Sequence, residues 1–364
     1  MSFLGTEREA SSSDNFGQAG STFTARPHQT TISGRVPAPR WASPWWLLFL
    51  GLAIAEVVAL GVREHRVPTE SDWAGAAELV RQQLTPKDAI TVAPGWADPL
   101  LRLYLGDRIT TKISGRSDLD AFDRLWVLSI RGAVAPDAPH RPANFAQTFG
   151  RVRVERFDFE PSKVILDLAD SINTARVEMR SPGGDELCAL RTFPPTVVQG
   201  GLGGGVIAPR QRFVCDDGAR PWLWVGPTVI EALDLSPRRC IWTHPQGADP
   251  ISIIFQDIPL GARVVLYGGL DYHDERDLEK GPIGLRVLIS GREVGNFVHR
   301  DGDGMARYEI DTRNAGTSGK GDLRLEVTAP LPFRRSFCWT GSVQSGTRAT
   351  EPGSSAPKQN KEAP

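Results

Sequence analysis

The stretch FQDIPLGARVVLYGGL (residues 255–270), followed by IGLRVLISGREVG (residues 283–295), decides the fold of the C-terminal part of this chain. Apolar residues in both strings fall in short runs with the period of β-strands, and Ser290-Gly291 provides a tight hairpin turn. Similar short strands and turn signals recur over residues 211–343, where helical periodicity is almost absent. We therefore predict an antiparallel, jelly-roll-like β-sandwich for this segment.

Three further strings carry a resemblance to a known group of proteins: HRDGDGMARYEIDT (299–312), LRLEVTAP (323–330) and RRSFCW (334–339). Together with the two strings above, they resemble the galactose-binding-domain-like jelly roll found in many carbohydrate-binding modules. The similarity covers residues 251–340 and rests on strands and turns. It implies a sandwich fold and, by analogy with that group, the binding of a glycan.

Five residues of the predicted sandwich are candidates for contacting such a ligand. Trp222, Trp242 and Trp339 offer aromatic faces, on which the C–H faces of sugar rings pack. Arg239 and His244, from the string PRRCIWTHP, could orient hydroxyl groups or a phosphate. The alternative interpretation is structural, with the tryptophans filling the core and the two polar side chains pairing with nearby carboxylates.

Asp301 and Asp303, in the string DGDG, are weak candidates for a calcium site. An EF-hand loop needs an oxygen ligand at its fifth position and glycine at its sixth, and those positions hold Met305 and Ala306. A hairpin turn explains the string equally well. The sequence indicates no other metal site and no cofactor.

Catalytic motifs are missing from the sequence. It contains neither GxSxG nor HExxH, and no glycine-rich phosphate-binding loop lies between a strand and a helix. The net charge of −1 comes from acidic and basic residues that are mixed along all 364 residues, which argues against nucleic acid as a partner. We identify no catalytic residue and expect a binding or structural protein rather than an enzyme.

Disulfides are possible among the four cysteines, which allow three pairings that the sequence does not distinguish. Their spacing matches no zinc motif. All four follow the apolar run discussed next, so an oxidising compartment for this part of the chain would suit them. They are Cys188, Cys215, Cys240 and Cys338.

The apolar run WWLLFLGLAIAEVVALGV (Trp45–Val62) contains one charge, Glu56. A membrane-spanning helix needs about 20 apolar residues, so we predict a single-pass transmembrane helix that acts as a signal-anchor, with a cleaved signal peptide as the alternative. Arginines are balanced on its two sides, and the cysteines favour an extracytoplasmic C-terminal part. The expected location is the inner (cytoplasmic) membrane, with residues 1–44 as a disordered cytoplasmic tail.

Residues 69–192 read as an α/β domain. Predicted strands include 89–93 and 108–113, and predicted helices include 143–149, so that strands alternate with helices. Such alternation implies parallel crossovers and a three-layer α/β sandwich. A linker rich in Gly and Pro is expected over 193–210. A second disordered tail, rich in Ser, Pro, Lys and Glu, is expected over 344–364.

A second resemblance lies in this α/β segment. The strings DWAGAAELVRQQLTPKDAITVAPGWADPLLRLYLGDRI (72–109) and FDRLWVLSIRG (122–132) are similar to the soluble C-terminal domain of multi-pass glycosyltransferases of the mannosyltransferase type, which use polyprenyl-phosphate sugars. The similarity covers residues 69–160. It implies a context of envelope glycan chemistry, but it transfers no catalytic residue, because those enzymes carry their catalytic carboxylates in a loop among many membrane spans.

These observations combine into one expectation and two alternatives. We expect a membrane-anchored, extracytoplasmic, non-catalytic protein of the cell envelope that contacts the lipid bilayer and binds a glycan, a polyprenyl-linked glycan or a multi-pass glycosyltransferase. The first alternative is an accessory or degenerate glycosyltransferase chain that is active only with a multi-pass partner. The second is a structural scaffold of the envelope.

Overall fold

The computed structural model describes residues 45–64, 67–194, 207–216, 220, 222–277, 280–313 and 319–346, with side chains omitted at 62–64. The chain divides into two compact units, Met1–Gly61 and Val62–Pro364. The predicted tail 1–44, most of the predicted linker and nearly all of the predicted tail 344–364 lie outside the described residues.

Helix α1 covers Trp45–Glu64, and its side chains are solvent-exposed from Trp45 to Leu60. Within the described residues, no helix combines the length and the apolar character needed to cross a membrane. The predicted transmembrane helix and signal-anchor at Trp45–Val62 are therefore wrong, and contact with a lipid bilayer has no support. The run lies at the lower limit of the roughly 20 residues that a span needs, and Glu56 interrupts it.

The first part of the second unit is a small mixed sheet with helices packed on it. Its strands lie in the order β1-β2-β4-β3, with β1 parallel to β2 and with β4 antiparallel to both β2 and β3. The elements are α2 (Glu70–Gln83), β1 (Asp88–Ala93), α3 (Asp98–Leu105), α4 (Thr111–Ser114), β2 (Arg124–Ile130), β3 (Phe145–Phe149) and β4 (Val152–Asp158).

This arrangement corrects the predicted three-layer α/β sandwich. The predicted helix at 143–149 is strand β3, which forms a hairpin with β4 through Gly150, a residue whose positive φ of 53° suits glycine. The predicted strand at 108–113 ends in helix α4, for which the Thr110 hydroxyl is the N-cap. Pairing with β4 and local capping outweighed the apolar pattern at these two places, so, within the described residues, β1–β2 is the one parallel pair of this sheet and β3 and β4 join it in antiparallel pairs.

Asp88, at the start of β1, anchors the small sheet from a buried position. Its carboxylate accepts hydrogen bonds from Arg124 (2.7 and 2.8 Å), from the indole of Trp126 (2.9 Å) and from Thr85 (2.7 Å). Burial alone would raise the pKa of Asp88, but these hydrogen bonds outweigh it and hold the pKa below its ordinary value of 3.8.

Replacing Asp88 by asparagine should alter the response of stability to acid. Because the folded-state pKa is lowered, the carboxylate stabilises the fold above its ordinary pKa, and this contribution is lost as pH falls through the folded-state value. We expect Asp88→Asn to cost about 1–3 kcal/mol near neutral pH and to lose less stability than the wild type between about pH 5 and about pH 2. Urea unfolding across this range tests it; parallel curves for the two proteins would refute the assignment.

The rest of the second unit is a two-sheet β-sandwich. Counted over the described residues, one sheet has eight strands in the order β16-β13-β18-β11-β10-β9-β8, with β5 also paired to β18, and the other has six in the order β15-β14-β17-β12-β6-β7. The elements are β5 (Val164–Asp167), β6 (Arg176–Ser181), β7 (Gly184–Leu187), β8 (Ala189–Thr192), β9 (Gln211–Val214), β10 (Trp224–Glu231), β11 (Pro237–Thr243), β12 (Ile251–Pro259), β13 (Arg263–Gly269), α5 (Tyr272–Arg276), β14 (Ile283–Ile289), β15 (Arg292–His299), β16 (Ala306–Asp311), β17 (Lys320–Thr328) and β18 (Phe337–Gln344).

The predicted β-sandwich is confirmed, although it recruits more of the chain than the sequence suggested. Strands β5 to β8, within residues 164–192, pair with sandwich strands and not with the small sheet. β6 and β7 form a local hairpin. The other partners of β5, β6 and β8 follow them by some 20 to more than 170 residues, as for Met179 with Ile251 and Leu166 with Val343. The main core lies between the two sheets and includes Phe255, Leu266 and Trp339.

The disulfides join Cys188 to Cys215 and Cys240 to Cys338. The second connects the neighbouring strands β11 and β18 on the outer face of the eight-stranded sheet, where both cysteines are buried in a small cluster with Trp224 and Trp242. The structure thus selects one of the three pairings that the sequence left open.

The small sheet and its helices pack against the start of β11 and the end of β18. The Arg239 amide donates to the Gly115 carbonyl (2.7 Å), and the Gln344 side chain donates to Asp120 (3.0 Å). Between these contacts, burial and the neighbouring carboxylate of Asp120 raise the pKa of Asp118, which is hydrogen-bonded to Tyr267. The opposite end of the sandwich therefore points away from these contacts.

Candidate functional site

Strand register brings several loops together at that opposite end. Val225 of β10 pairs with Thr243 of β11, Thr243 pairs with Phe337 of β18, and Cys338 pairs with Gly269 of β13. The segments that precede β10 and β18 therefore meet those that follow β11 and β13. We call this region the loop end; its described residues are Trp222, 244–250, 270–277, 280, 300–305 and 331–336.

Trp222 exposes half of its surface at the loop end, and its backbone is supported by buried tryptophans. The rings of Trp224 and Trp242 are buried and stacked, with centroids 5.3 Å apart and planes inclined by 17°. The indole N–H of Trp242 donates to the carbonyl oxygen of Trp222 (3.4 Å). A buried aromatic pair thus fixes the backbone of an exposed aromatic residue, which is the arrangement that a preorganised stacking platform requires.

Polar side chains surround this segment of the loop end. Arg220 donates to Asp216 (2.7 Å) and to the side-chain oxygen of Gln246 (3.2 Å), whose amide group donates to the Arg180 carbonyl (2.8 Å). Burial lowers the pKa of His244, which favours the neutral ring. Its Nδ1 donates to the Pro245 carbonyl (2.9 Å), so Nε2 is left as an acceptor. These groups match the donors and acceptors of sugar hydroxyls.

Phe333 is a second exposed aromatic residue of the loop end, with 70% of its surface accessible. The Lys280 ammonium lies 5.6 Å and the Arg334 guanidinium 5.9 Å from the centre of its ring. Arg334 also donates to Asp277 (3.0 Å), so that an aromatic face, two cations and a carboxylate lie side by side. The ring attracts both cations, which places their N–H donors beside Phe333, where a polar ligand can accept from them.

A buried polar network holds the loops beneath Phe333. Glu275 accepts hydrogen bonds from the Leu270 amide (2.9 Å), the Gly302 amide (2.8 Å) and the ring of His299 (2.8 Å), and both Glu275 and His299 are 1% exposed. Buried Asp274 accepts from the Ser336 amide (3.1 Å). The network connects helix α5, the turn at 300–304 and the segment before β18, so the residues that it supports are positioned by the interior.

Of the candidates chosen from the sequence, the structure brings Trp222, Trp242 and His244 together at the loop end. Trp222 is exposed, Trp242 is 6% exposed beneath it, and Trp242 lies 6.3 Å from His244 between ring centres. Trp339 is fully buried in the core. Arg239 lies at the opposite end of β11, where it pairs with Asp170 (2.6 Å).

The aspartates of the DGDG string have protein partners. Asp301 pairs with buried Arg335, and Asp303 accepts a hydrogen bond from the Arg300 amide (2.8 Å). Among the described residues, no group of three or more acidic, histidine or cysteine side chains could hold a metal ion.

Sequence reasoning missed Phe333 and its charged neighbours Lys280 and Arg334. The signal was the string Leu331-Pro-Phe-Arg-Arg between two strands: proline marks a turn, and an aromatic residue in a turn has little access to a core.

The chain matches no family model and no curated protein. Solved structures similar to it include the CBM51-2 and INT domains of Clostridium perfringens ZmpB, at 15% sequence identity. That match covers 33% of this chain and 25% of the other, with a TM-score of 0.24. The CBM51 of C. perfringens GH95 in complex with methyl-galactose is 12% identical; the match covers 33% of this chain and 79% of the other, with a TM-score of 0.24. Tandem CBM51 modules of a family 98 glycoside hydrolase from Streptococcus pneumoniae are 11% identical; the match covers 54% of this chain and 57% of the other, with a TM-score of 0.27.

The match spans about a quarter of the first of these chains. At TM-scores of this size, the similarity establishes neither a family nor a ligand for this chain. The assignment of function therefore depends on the geometry of the loop end itself.

Proposed function

We propose that the β-sandwich is a glycan-binding module and that the loop end is its binding surface. The observation that carries the proposal is the presence there of two exposed aromatic side chains, Trp222 and Phe333, each beside hydrogen-bonding groups. Sugar rings present C–H faces that pack on aromatic rings and hydroxyl groups that bind charged and amide side chains. Both features occur together at this surface.

Rigidity supports the same proposal. The stacked Trp224–Trp242 pair supports the segment that carries Trp222, and the buried network of Glu275 and Asp274 supports the segment that carries Phe333. Binding then requires little ordering of the protein, which is where weak ligands such as glycans lose much of their affinity.

The two disulfides support an extracytoplasmic location, because disulfides persist in oxidising compartments. A glycan of the cell envelope is accessible there. The resemblance of residues 69–160 to the soluble domain of glycosyltransferases, and a glycosyltransferase partner, remain predictions.

Glycan binding should be tested first on an array that includes galactosides, N-acetylglucosamine-terminated chains and mannan oligosaccharides, followed by calorimetry with the best ligand. We expect Trp222→Ala to weaken binding about 10–30-fold and Phe333→Ala about 3–10-fold, because each removes a stacking face. Both side chains are exposed, so the fold should be retained, and circular dichroism verifies this.

Trp96→Ala is the matched control. Trp96 is 61% exposed but belongs to the loop after β1, in the small mixed sheet. Its replacement should change glycan affinity less than about twofold. Absence of any glycan ligand, or a loss of affinity in Trp96→Ala with none in Trp222→Ala and Phe333→Ala, would contradict the proposal.

A further inference from the structure

A concave surface lies between the small mixed sheet and the sandwich, and none of its lining residues belongs to the loop end. It is a cleft of about 690 Å³, within the range of about 300–1,000 Å³ that is typical of small-ligand sites. Its walls are the turn Leu84–Asp88, the segment from Asp107 to Ile113 and strand β5.

Basic residues outnumber acidic ones in the cleft. Among the described residues that line it, four are cations and three are carboxylates: Arg81, Lys87, Arg108, Lys112, Asp88, Asp107 and Asp167. Asp88 does not offset any of these cations, because its charge is engaged by Arg124, which does not line the cleft. The lining therefore carries an excess of positive charge.

The excess is concentrated on Lys87 and Arg108. Asp107 is already bound through two hydrogen bonds (2.8 and 2.9 Å) by Arg81, so Arg108, at 3.2 Å, shares a carboxylate that is engaged elsewhere. Lys87 has Asp123 at 3.8 Å, the outer limit of an ion pair. Both side chains are more than half exposed, at 64% for Lys87 and 53% for Arg108, and so are accessible to a ligand.

The charge of Lys112 is balanced by nearby carboxylates. Lys112 contacts Asp170 (2.8 Å) and Asp167 (3.3 Å), and Arg239, which does not line the cleft, pairs with Asp170 (2.6 Å), so two cations meet two carboxylates. This part contributes fixed structure and not free charge.

Apolar side chains also form part of the cleft wall. Ile165, on β5, keeps 44% of its surface exposed, and Val164, Leu84 and Pro86 also line the cleft. A ligand that fills it therefore needs an anionic group for Lys87 and Arg108 and a small body with apolar C–H faces for this wall.

We propose that this cleft binds a sugar that carries an oxyanion, either a carboxylate or a phosphate, with Lys87 and Arg108 holding the anion and Ile165 packing on the ring. The site is separate from the loop end, and the proposal does not rest on glycan binding there.

Calorimetry or ligand-observed NMR with three probes tests the proposal on the full chain at low ionic strength: glucuronate, glucose 6-phosphate and uncharged glucose. We expect at least one anionic probe to bind, at about millimolar affinity, and glucose to bind at least tenfold more weakly. Glucuronate alone would identify the anion as a carboxylate, and glucose 6-phosphate alone as a phosphate. Affinity should fall as salt is raised, because exposed charges are screened.

Alanine substitutions test whether the anionic probe binds in the cleft. Lys87→Ala/Arg108→Ala should weaken the anionic probe at least tenfold. Arg313→Ala/Lys320→Ala, which removes two exposed cations of the sandwich paired with Asp311 and Asp257, should leave it unchanged. Trp222→Ala should also leave it unchanged, which separates this site from the loop end. Failure of both anionic probes to bind, or equal loss in the two double variants, would overturn the proposal.

Discussion

Replacing Glu275 by alanine is expected to destabilise the folded chain by about 3–5 kcal/mol and to weaken glycan binding at the loop end. The substitution removes the acceptor for three donors, namely the Leu270 amide, the Gly302 amide and the His299 ring. Each buried donor left without a partner costs about 1–3 kcal/mol. His299 would lose its partner at Nε2, and Nδ1 already has none among the described residues.

Glu275→Gln provides the graded comparison. Its side-chain oxygen can still accept hydrogen bonds, but its amide group would face a backbone N–H, so we expect about 1–3 kcal/mol of destabilisation. Urea unfolding followed by circular dichroism measures both. A loss below about 1 kcal/mol for Glu275→Ala would show that the network does not hold the loops, and rigidity would no longer support the binding proposal.

Removing the Cys240–Cys338 disulfide is expected to cost a similar amount. Its cysteines are 98 residues apart, and closing a loop of that length restricts the unfolded chain by about 4.7 kcal/mol in the chain-entropy model. Both cysteines are buried beside Trp242, whose indole supports Trp222. Cys240→Ala/Cys338→Ala should therefore lower both stability and glycan affinity.

Cys188→Ala/Cys215→Ala is the matched control for this disulfide. Its loop of 27 residues predicts a smaller loss, about 3.5 kcal/mol in the same model, and its cysteines lie outside the Trp224–Trp242 cluster. Unfolding curves and calorimetry of the two double variants give the comparison. Equal effects on glycan affinity would show that the tryptophan cluster does not transmit the loss.

The sandwich could be predicted from the sequence because its evidence is local. In strands such as β13 and β14, each apolar run is bounded by its own turn, and Ser290-Gly291 connects β14 to β15 as expected. The structure places Trp222 and His244 at the loop end, and their role in binding a ligand stays a prediction.

The remainder depended on long-range pairing that local patterns do not encode. Within segment 143–149, which we predicted as a helix, Phe145–Phe149 form a strand because they pair with β4. Strands β5 and β6 find their partners in β18 and β12, far along the chain. Arg239 and Trp339 lie next to attractive motif residues, yet register places one at the opposite end of β11 and the other in the core.

The two exposed aromatic residues illustrate the same limit. Trp222 stood out because tryptophan is rare and distinctive, whereas Phe333 sits in a short turn between two strands. Only the register that brings the start of β18 beside the end of β11 shows that the two residues belong to one end of the sandwich.

The most direct test of the central claim is fluorine NMR of protein in which the ten tryptophans are labelled with 5-fluorotryptophan and assigned by single Trp→Phe substitutions. On titration with the best glycan from the array, the Trp222 signal should shift most. Trp242, whose indole donates to the Trp222 carbonyl, should shift less, and Trp96 should not move. A saturating ligand that shifts Trp96 and leaves Trp222 unchanged would contradict glycan binding at the loop end.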